Sequence, residues 1–182
     1  LALFNKDEFV FGACAGAAIY RNKMIDEIGF FDEDFFLIYE DTDLNFRAQL
    51  AGWKVLYVPD AIVYHKVRSS IGVMSEVAAY YSLRNSELVR IKNVPFCIFL
   101  ICLPELILSI IVEFIYFAFR HKKIRLYLKA KWDALLMFPV MLKKRKSIMK
   151  TKKVTDKYLL SIITSVFQRG YFKTKAKKFL YG

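Results

Sequence analysis

The chain has 182 residues, of which 56% are hydrophobic and 16% aromatic, and its formal net charge is +12. This length and composition allow one sizeable buried core with an appendage, and they exclude a chain that is disordered by composition. The three cysteines, Cys14, Cys97 and Cys102, show no CxxC spacing. We therefore interpret them as reduced, buried thiols of a cytosolic protein, and neither a zinc site nor a disulfide framework is predicted.

The charge is divided unevenly along the chain. Residues 1–119 carry 10 basic and 15 acidic side chains, whereas residues 120–182 carry 19 basic and 2 acidic side chains. Such a split predicts two regions with different surroundings. Charged residues enter at Lys6 before any apolar run develops, so no signal peptide is predicted, and we expect the chain to be a fragment of a longer protein.

Residues 1–92 are predicted to form an α/β unit. Residues 9–20 indicate a buried strand and turn, and Asn22 is predicted to cap a short helix that runs through Ile28 and ends at Gly29. An aromatic, acidic loop over residues 30–39 leads into a helix over residues 40–51, followed by Gly52. Short strands are predicted over 53–58 and 61–65, and a long helix over about 75–92 that stops before Pro95.

Residues 93–182 are predicted to form a hydrophobic and basic helical region that associates with a membrane. Residues 96–119 are almost wholly apolar, and their interruptions at Glu105, Ser109 and Glu113 share one helical face. Two carboxylates weigh against a simple lipid-facing span. The pattern suits a helix lying in the membrane interface, a re-entrant pair broken at Pro104, or a span whose polar stripe faces protein; a buried helix of a soluble core is the alternative.

A run of cations interleaved with aromatic and aliphatic residues follows the apolar segment. It comprises Arg120, Lys122, Lys123, Arg125, Lys129, Lys131, Lys143, Lys144, Arg145, Lys146, Lys150, Lys152 and Lys153. Basic amphipathic helices are attracted to anionic lipid, and the positive-inside tendency predicts that they lie on the cytoplasmic side of the membrane. Nucleic-acid binding is the competing interpretation; we predict no such partner, because no nucleic-acid motif is present and the apolar run would have no role.

The chemistry-bearing residues cluster between Glu40 and His65. Glu40 and Asp41, with Asp43, stand at a predicted helix N-terminus, where the dipole and free amides favour ionised carboxylates. A carboxylate base must be ionised and within hydrogen-bond reach of the hydroxyl that it deprotonates. Helix capping is the simpler interpretation of these acids. A lone strand-end histidine such as His65 more often makes a structural hydrogen bond, although its neutral imidazole can ligate a divalent metal.

The order and spacing of these elements resemble the second half of the glycosyltransferase family 2 domain. The likeness rests on Gly12-Ala13 with Arg21, on the run 29–33, on Glu40-Asp41-Thr42-Asp43-Leu44 with Arg47 and Gly52, and on Pro59, Ala61 and His65. It covers about residues 9–92, and it is greatest to bacterial rhamnosyltransferase-like members. Arg84-Asn85 in the following helix also looks like those proteins.

The resemblance implies the acceptor-side part of a GT-A fold, an α/β architecture, followed by the helical tail. It implies an inverting, metal-dependent enzyme with a nucleotide-sugar donor, a lipid-linked glycan acceptor and a divalent metal, Mg or Mn. Asp41 would be the general base, Glu40 would orient it or the acceptor, and His65 would ligate the metal. The other residues implied to border the substrate are Gly12, Ala13, Asp32, Glu33 and Asp43. A surface acidic turn is the alternative for Asp32 and Glu33, and Asp43 is also expected to brace the helix with Arg47.

One departure from the family pattern concerns the donor. The family places its Asp-x-Asp metal motif before the segment with which this chain starts, so the chain alone is predicted to lack the donor half. Asp41-Thr42-Asp43 has the letters of that motif, but its context matches the later Glu-Asp site. A non-catalytic membrane-binding or scaffold module derived from such an enzyme is the alternative function.

Overall fold

A computed structural model of the chain describes residues 5–64 and 75–163. Two short strands, β1 (Glu8–Val10) and β2 (Val55–Tyr57), pair antiparallel, with Glu8 opposite Tyr57 and Val10 opposite Val55. The helices are α1 (Asn22–Ile28), α2 (Glu40–Leu50), α3 (Glu76–Asn93), α4 (Phe96–Ile101), α5 (Leu103–Ile115), α6 (Ile124–Leu136), α7 (Phe138–Lys150) and α8 (Asp156–Ile162). The described part is therefore mostly helical, with a small sheet.

The helices begin and end close to where capping chemistry predicts. Helix α1 ends at Gly29 (φ +76°) and α2 is followed by Gly52 (φ +85°), both in the left-handed region that glycine tolerates. Ser75 caps α3 by accepting a hydrogen bond from the Ala78 amide at 3.1 Å. The predicted cap of α1 was wrong by one residue, because Arg21 holds the extended N-cap conformation and Asn22 is the first helical residue.

The strands are shorter than the sequence predicts. Only Glu8–Val10 of the first segment is a strand, and residues 61–64 are irregular. The amides of Ala61 and Ile62 bond back to Val58 O and Asp60 O, so the turn, and not a neighbouring strand, satisfies them. The end of the second predicted strand, residue 65, lies outside the described residues.

The apolar segment forms two helices with a break between them. Helices α4 and α5 meet at Cys102, and Pro104 follows in the first turn of α5, where its missing N–H costs nothing. A π-helical turn, Tyr116–Arg120, closes the segment. Within residues 5–64 and 75–163, no helix combines the length and the apolar character that a bilayer crossing requires.

The three cysteines are free thiols, but the prediction that all of them are buried was wrong. Cys14 and Cys97 are exposed, and Cys102 is partly buried. Burial raises the pKa of the Cys102 thiol, and the charge of Glu105 raises it further, so this thiol stays protonated at neutral pH.

The helices after residue 93 share their core with the helices before it. One buried cluster joins Phe35, Leu88 and Val89 to Ala134 and Met141, and another joins Leu50 to Ile98 and Leu159. The predicted boundary at 92/93 falls inside α3. Helices α6 and α7 pack on α3, so the two predicted regions form one packed body in the described part of the chain.

A cation of α7 fastens this packing at the end of α3. Arg145 donates to the carbonyl oxygens of Ile91 at 2.8 Å and Val94 at 2.6 Å. These carbonyls belong to the last turn of α3 and the residue after it, where a helix leaves acceptors without intrahelical donors. The tail therefore completes the hydrogen bonding of the helix on which it packs.

Candidate active site

The two acids Glu40 and Asp41 open α2, directly after a loop with unusual backbone geometry. Phe36, Ile38 and Tyr39 have φ angles of 54°, 63° and 74°, in the left-handed region that bulky residues rarely adopt. Each such residue costs on the order of 1–2 kcal/mol, so the loop needs outside support. Strain of this kind is found preferentially at functional sites.

Asn85 of α3 supplies that support. Its side chain is fully buried, and its Nδ2 group donates to the carbonyl oxygens of Phe35 at 2.7 Å, Leu37 at 2.8 Å and Ile38 at 2.7 Å. Its neighbour Arg84 donates to Asp34 O at 2.7 Å and, through Nε, to Asn85 Oδ1 at 2.9 Å. One pair of α3 side chains thus holds the loop that delivers the two acids.

A polar face of α2 holds the chain that leaves β1. Asp41, Asn45 and Gln49 are spaced at i, i+4 and i+8, so they point to one side of the helix. Gln49 Nε2 donates to Phe11 O at 2.8 Å, Asn45 exchanges two hydrogen bonds with the Ala13 backbone, and Asp41 Oδ2 accepts from the Ala15 amide at 3.4 Å. The segment after β1 therefore runs along α2 and ends beside the Asp41 carboxylate.

Asp41 keeps capacity to accept a further hydrogen bond. Its Oδ1 atom accepts from the Thr42 hydroxyl at 3.2 Å, and its contact with the Ala15 amide, at 3.4 Å, is long. Its side chain is half-buried. A half-buried carboxylate at a helix N-terminus, with weakly occupied oxygens, fits the requirements of a general base.

Two buried polar groups beside Asp41 have no hydrogen-bond partner among residues 5–64 and 75–163. They are Glu40 Oε2 and the Tyr20 hydroxyl. Burial raises the pKa of Tyr20, and the charges of Asp41, Cys14 and Glu40 raise it further, so the phenol lies within electrostatic range of the acids. A buried polar atom without a partner is costly, and a bound hydroxyl-rich ligand would satisfy both groups.

The structure corrects the expected role of Gly12 and Ala13. A Cβ atom added at Gly12 would lie 2.4 Å from Asn45 Nδ2 and 2.5 Å from its Cγ, so the side chain of α2 fills the space that a substrate was expected to approach. Both backbone hydrogen bonds of Asn45 go to Ala13. The glycine serves close packing between the chain and α2.

Asp43 is likewise placed where it cannot reach a substrate in this conformation. Its side chain is fully buried, and it accepts from Arg47 Nε at 2.8 Å, Lys92 Nζ at 2.7 Å and Asn93 Nδ2 at 2.7 Å. Arg47 in turn donates to the carbonyl oxygens of residues 28, 29 and 30 at 2.6, 3.0 and 2.6 Å, respectively. The expected bracing by Asp43 and Arg47 is what the geometry shows, and it ties α1, α2 and α3 together.

Asp32 is held by cations from two helices. Lys92 of α3 and Lys144 of α7 each lie 2.6 Å from one of its oxygens, and Lys144 also lies 2.6 Å from Asp34 Oδ2. Burial alone would raise the pKa of Asp32, but the hydrogen bonds from Lys144 and Lys92 outweigh it and lower the pKa to about 2. Glu33, on the short 3₁₀ turn Glu33–Phe35, is exposed.

The predicted metal ligand His65 lies outside the described residues. Within the described ranges, no three His, Cys, Asp or Glu side chains are grouped so that they could hold a metal ion. The donors described around Glu40 and Asp41 therefore do not form a metal site on their own.

Several residues that build this site were not predicted from the sequence. Asn45, Gln49 and Tyr20 were missed, and Asn85 was noticed only as part of the resemblance. The i, i+4, i+8 spacing of Asp41, Asn45 and Gln49 indicates a polar helix face whose side chains can hydrogen-bond to neighbouring backbone. No local pattern in the sequence predicts the positive φ angles of Phe36, Ile38 and Tyr39.

Comparison with known proteins assigns this segment to a family. Residues 8–79 match the model described as glycosyl transferase family group 2. The matched range contains the loop, the acids, the polar face of α2 and His65. Over this range the chain is similar to glycosyltransferase family 2, as the sequence analysis predicted.

Two curated relatives give this assignment a functional context. Both are named N-acetylglucosaminyl-diphospho-decaprenol L-rhamnosyltransferase, from Mycobacterium tuberculosis strains CDC 1551 / Oshkosh and ATCC 25618 / H37Rv. Each is 38% identical over 72 residues, which cover 38% of this chain and 22% of the relative. The match thus spans about a fifth of the relatives' length. No solved structure matches the chain significantly.

Proposed function

We propose that this chain supplies the acceptor side of a glycosyltransferase that moves a sugar from a nucleotide-sugar donor to a lipid-linked glycan acceptor. The observation that carries the proposal is the presentation of Glu40-Asp41 at the N-terminus of α2 by a strained loop that Asn85 holds in place. The family match over residues 8–79 and the names of the mycobacterial relatives support it.

Asp41 is the residue proposed to act as general base. Its carboxylate takes the proton of the acceptor hydroxyl, and the oxygen attacks the anomeric carbon of the donor sugar as the bond to the nucleoside diphosphate breaks. Attack from the face opposite the leaving group inverts the anomeric centre. Base catalysis of this kind contributes about 10²–10⁴-fold to a rate.

Glu40 and Tyr20 are proposed to orient the acceptor. Both present a buried polar atom without a partner in the part of the chain that the structure describes, next to the base. Hydroxyl groups of a glycan can donate to Glu40 Oε2 and accept from the Tyr20 phenol, which would remove two orphaned polar groups at once.

The proposal includes a divalent cation, Mg²⁺ or Mn²⁺, ligated in part by His65, because the resemblance implies one. When bound, such a cation offsets the charge that develops on the leaving diphosphate. Asp41 and Glu40, on the acceptor side, act on the acceptor hydroxyl and need no contact with the cation.

Replacing Asp41 with Asn in the intact protein tests the assignment. Transfer to a lipid-linked glycan should fall by at least about 100-fold, while nucleotide-sugar binding and the free energy of unfolding stay at the wild-type values, because the amide keeps the shape but not the basicity. Asp60→Asn, at an exposed turn residue, is the matched control and should transfer at the wild-type rate.

Wild-type transfer by the Asp41→Asn variant would refute the base assignment. Retention of the cellular role without any transfer activity, in wild type and variant alike, would instead favour the alternative, a non-catalytic scaffold derived from such an enzyme.

A further inference from the structure

The outer surface of α5 and α6 is apolar and lies open. Helix α5 has no buried residue, although most of its side chains are large and apolar. The exposed apolar residues on these two helices are Ile107, Leu108, Ile110, Ile111, Val112, Phe114, Ile115, Leu128, Trp132, Leu135 and Leu136. We call this surface the α5–α6 face. Large exposed apolar side chains in such number mark an interaction surface on soluble proteins.

Helix α6 has apolar residues on two opposite sides. Tyr127, Ala130 and Ala134 are buried, the first two in a cluster with Leu83 of α3. On the other side, Leu128, Trp132 and Leu135 line a groove of about 530 Å³ together with Lys129 and Lys131. Packing against α3 therefore accounts for one side of α6 and leaves the second without a partner in the described chain.

Cations that have no carboxylate partner in the described chain lie at the junction of α5 and α6, at one end of the α5–α6 face. Arg120, Lys122 and Arg125, at the junction of α5 and α6, are exposed, and none has a carboxylate within 4 Å among the described residues. Lys143 and Lys146 on α7 are exposed in the same way. Lys129 and Lys131, in contrast, already pair with Asp133 and with Glu87 and Glu113. An apolar face bordered by unneutralised cations complements an anionic surface with an apolar interior.

We propose that the α5–α6 face binds the surface of an anionic lipid bilayer, with Trp132 inserted at the level of the headgroups. Helix α5 has 13 residues and the π-helical turn that continues it has 5, so together they are at most about 27 Å long. This is short of a bilayer core of roughly 30 Å, so the helices lie along the membrane. Trp132 is 60% exposed, and tryptophan favours the boundary between headgroups and acyl chains. The binding needs no donor and no transfer reaction, so it stands or falls independently of the proposed function.

Fluorescence of Trp132 tests the proposal on the intact protein. Trp53→Phe removes the other described tryptophan, whose indole donates to Glu27 of α1, and circular dichroism checks that the fold is kept. Any tryptophan outside residues 1–182 is replaced in the same background. Vesicles of phosphatidylglycerol and phosphatidylcholine should shift the Trp132 emission to shorter wavelength, and lipids brominated near the headgroup should quench it. Pure phosphatidylcholine should give a markedly weaker effect.

Two variants separate the apolar and the ionic contributions. Trp132→Ser combined with Leu128→Ser should reduce the fraction that sediments with anionic vesicles several-fold. Ile19→Ser, at a fully exposed apolar residue on the other part of the fold, should leave it unchanged. Replacing Arg120, Lys122 and Arg125 with Gln should weaken binding by at least about tenfold, from roughly 1 kcal/mol per cation near the surface.

Three results would overturn the inference. The first is unshifted, unquenched Trp132 emission in the presence of anionic vesicles. The second is equal sedimentation of the Leu128/Trp132 variant and wild type. The third is a stable dimer in analytical ultracentrifugation that buries Trp132 and does not bind vesicles, since the face would then be covered by a second copy.

Discussion

Replacement of Asn85 with Leu is expected to release the loop that presents Glu40 and Asp41. Leu has the same number of side-chain heavy atoms and the same branching but cannot donate, so the carbonyl oxygens of Phe35, Leu37 and Ile38 lose a donor that now lies 2.7–2.8 Å away. A buried acceptor left without a partner costs about 1–3 kcal/mol. Because the loop can move toward water, we expect a loss of about 2–4 kcal/mol in the free energy of unfolding, measured by urea denaturation followed by circular dichroism.

The catalytic effect of Asn85→Leu is expected to exceed the effect on substrate binding. A released loop would relax its left-handed residues and shift the start of α2, and a displacement of about 1 Å can cost about 100-fold in rate. The kcat for transfer should fall by that order, with the KM for the nucleotide sugar nearly unchanged, below the temperature at which the variant unfolds.

Ser86→Ala is the matched control, because Ser86 is the next residue of α3 and is buried. Among the described residues its hydroxyl donates only within its own helix, to Leu83 O at 3.1 Å. The variant should keep the wild-type kcat. The reasoning would be refuted if Asn85→Leu unfolded at the wild-type urea concentration, or if it lost stability and kept the wild-type kcat, since the loop would then hold its shape without Asn85.

Two further predictions follow from buried contacts. The pKa of Asp32 is lowered from 3.8 to about 2, so its ion pairs stabilise the fold above pH 4. This contribution to the free energy of unfolding, about 1–2 kcal/mol after screening, is lost as the pH falls from 4 toward 2. Lys144→Met should shrink this acid-dependent loss in pH-dependent urea denaturation, and an unchanged pH profile would contradict it. Gly12→Ala should cost about 1–3 kcal/mol, because the new Cβ would lie 2.4–2.7 Å from Asn45 atoms. In the double variant with Asn45→Ala the loss should be smaller than the sum of the two single losses, and strict additivity would show that the clash is absent.

The sequence predicted the helices better than the contacts between them. The ends of α2 and α3 lie within one residue or so of the predicted ends, because Gly52 and Ser75 act through local backbone chemistry that sequence spacing reveals. The strands were overestimated, since a strand depends on a partner that lies far away in sequence.

Contacts between residues far apart in the sequence explain the other differences between prediction and structure. Gly12 did signal close approach, but the approaching group is Asn45, 33 residues later in the sequence, and not a substrate. The acidic and basic halves of the chain suggested two separate regions, yet Lys144 and Arg145 place their charges on acceptors of the first half. Charge asymmetry along a chain is thus also compatible with ion pairing within one core.

Helix α3 contacts both the loop that precedes Glu40 and helix α6. One part of it grips the loop before Glu40 through Asn85, and another part packs against α6, where Leu83 joins Tyr127 and Ala130. These contacts fix the position of the loop before Glu40 relative to α6. If α6 rests on a membrane as proposed, the distance between the lipid anchor and the reactive hydroxyl would decide which acceptors can reach the carboxylates.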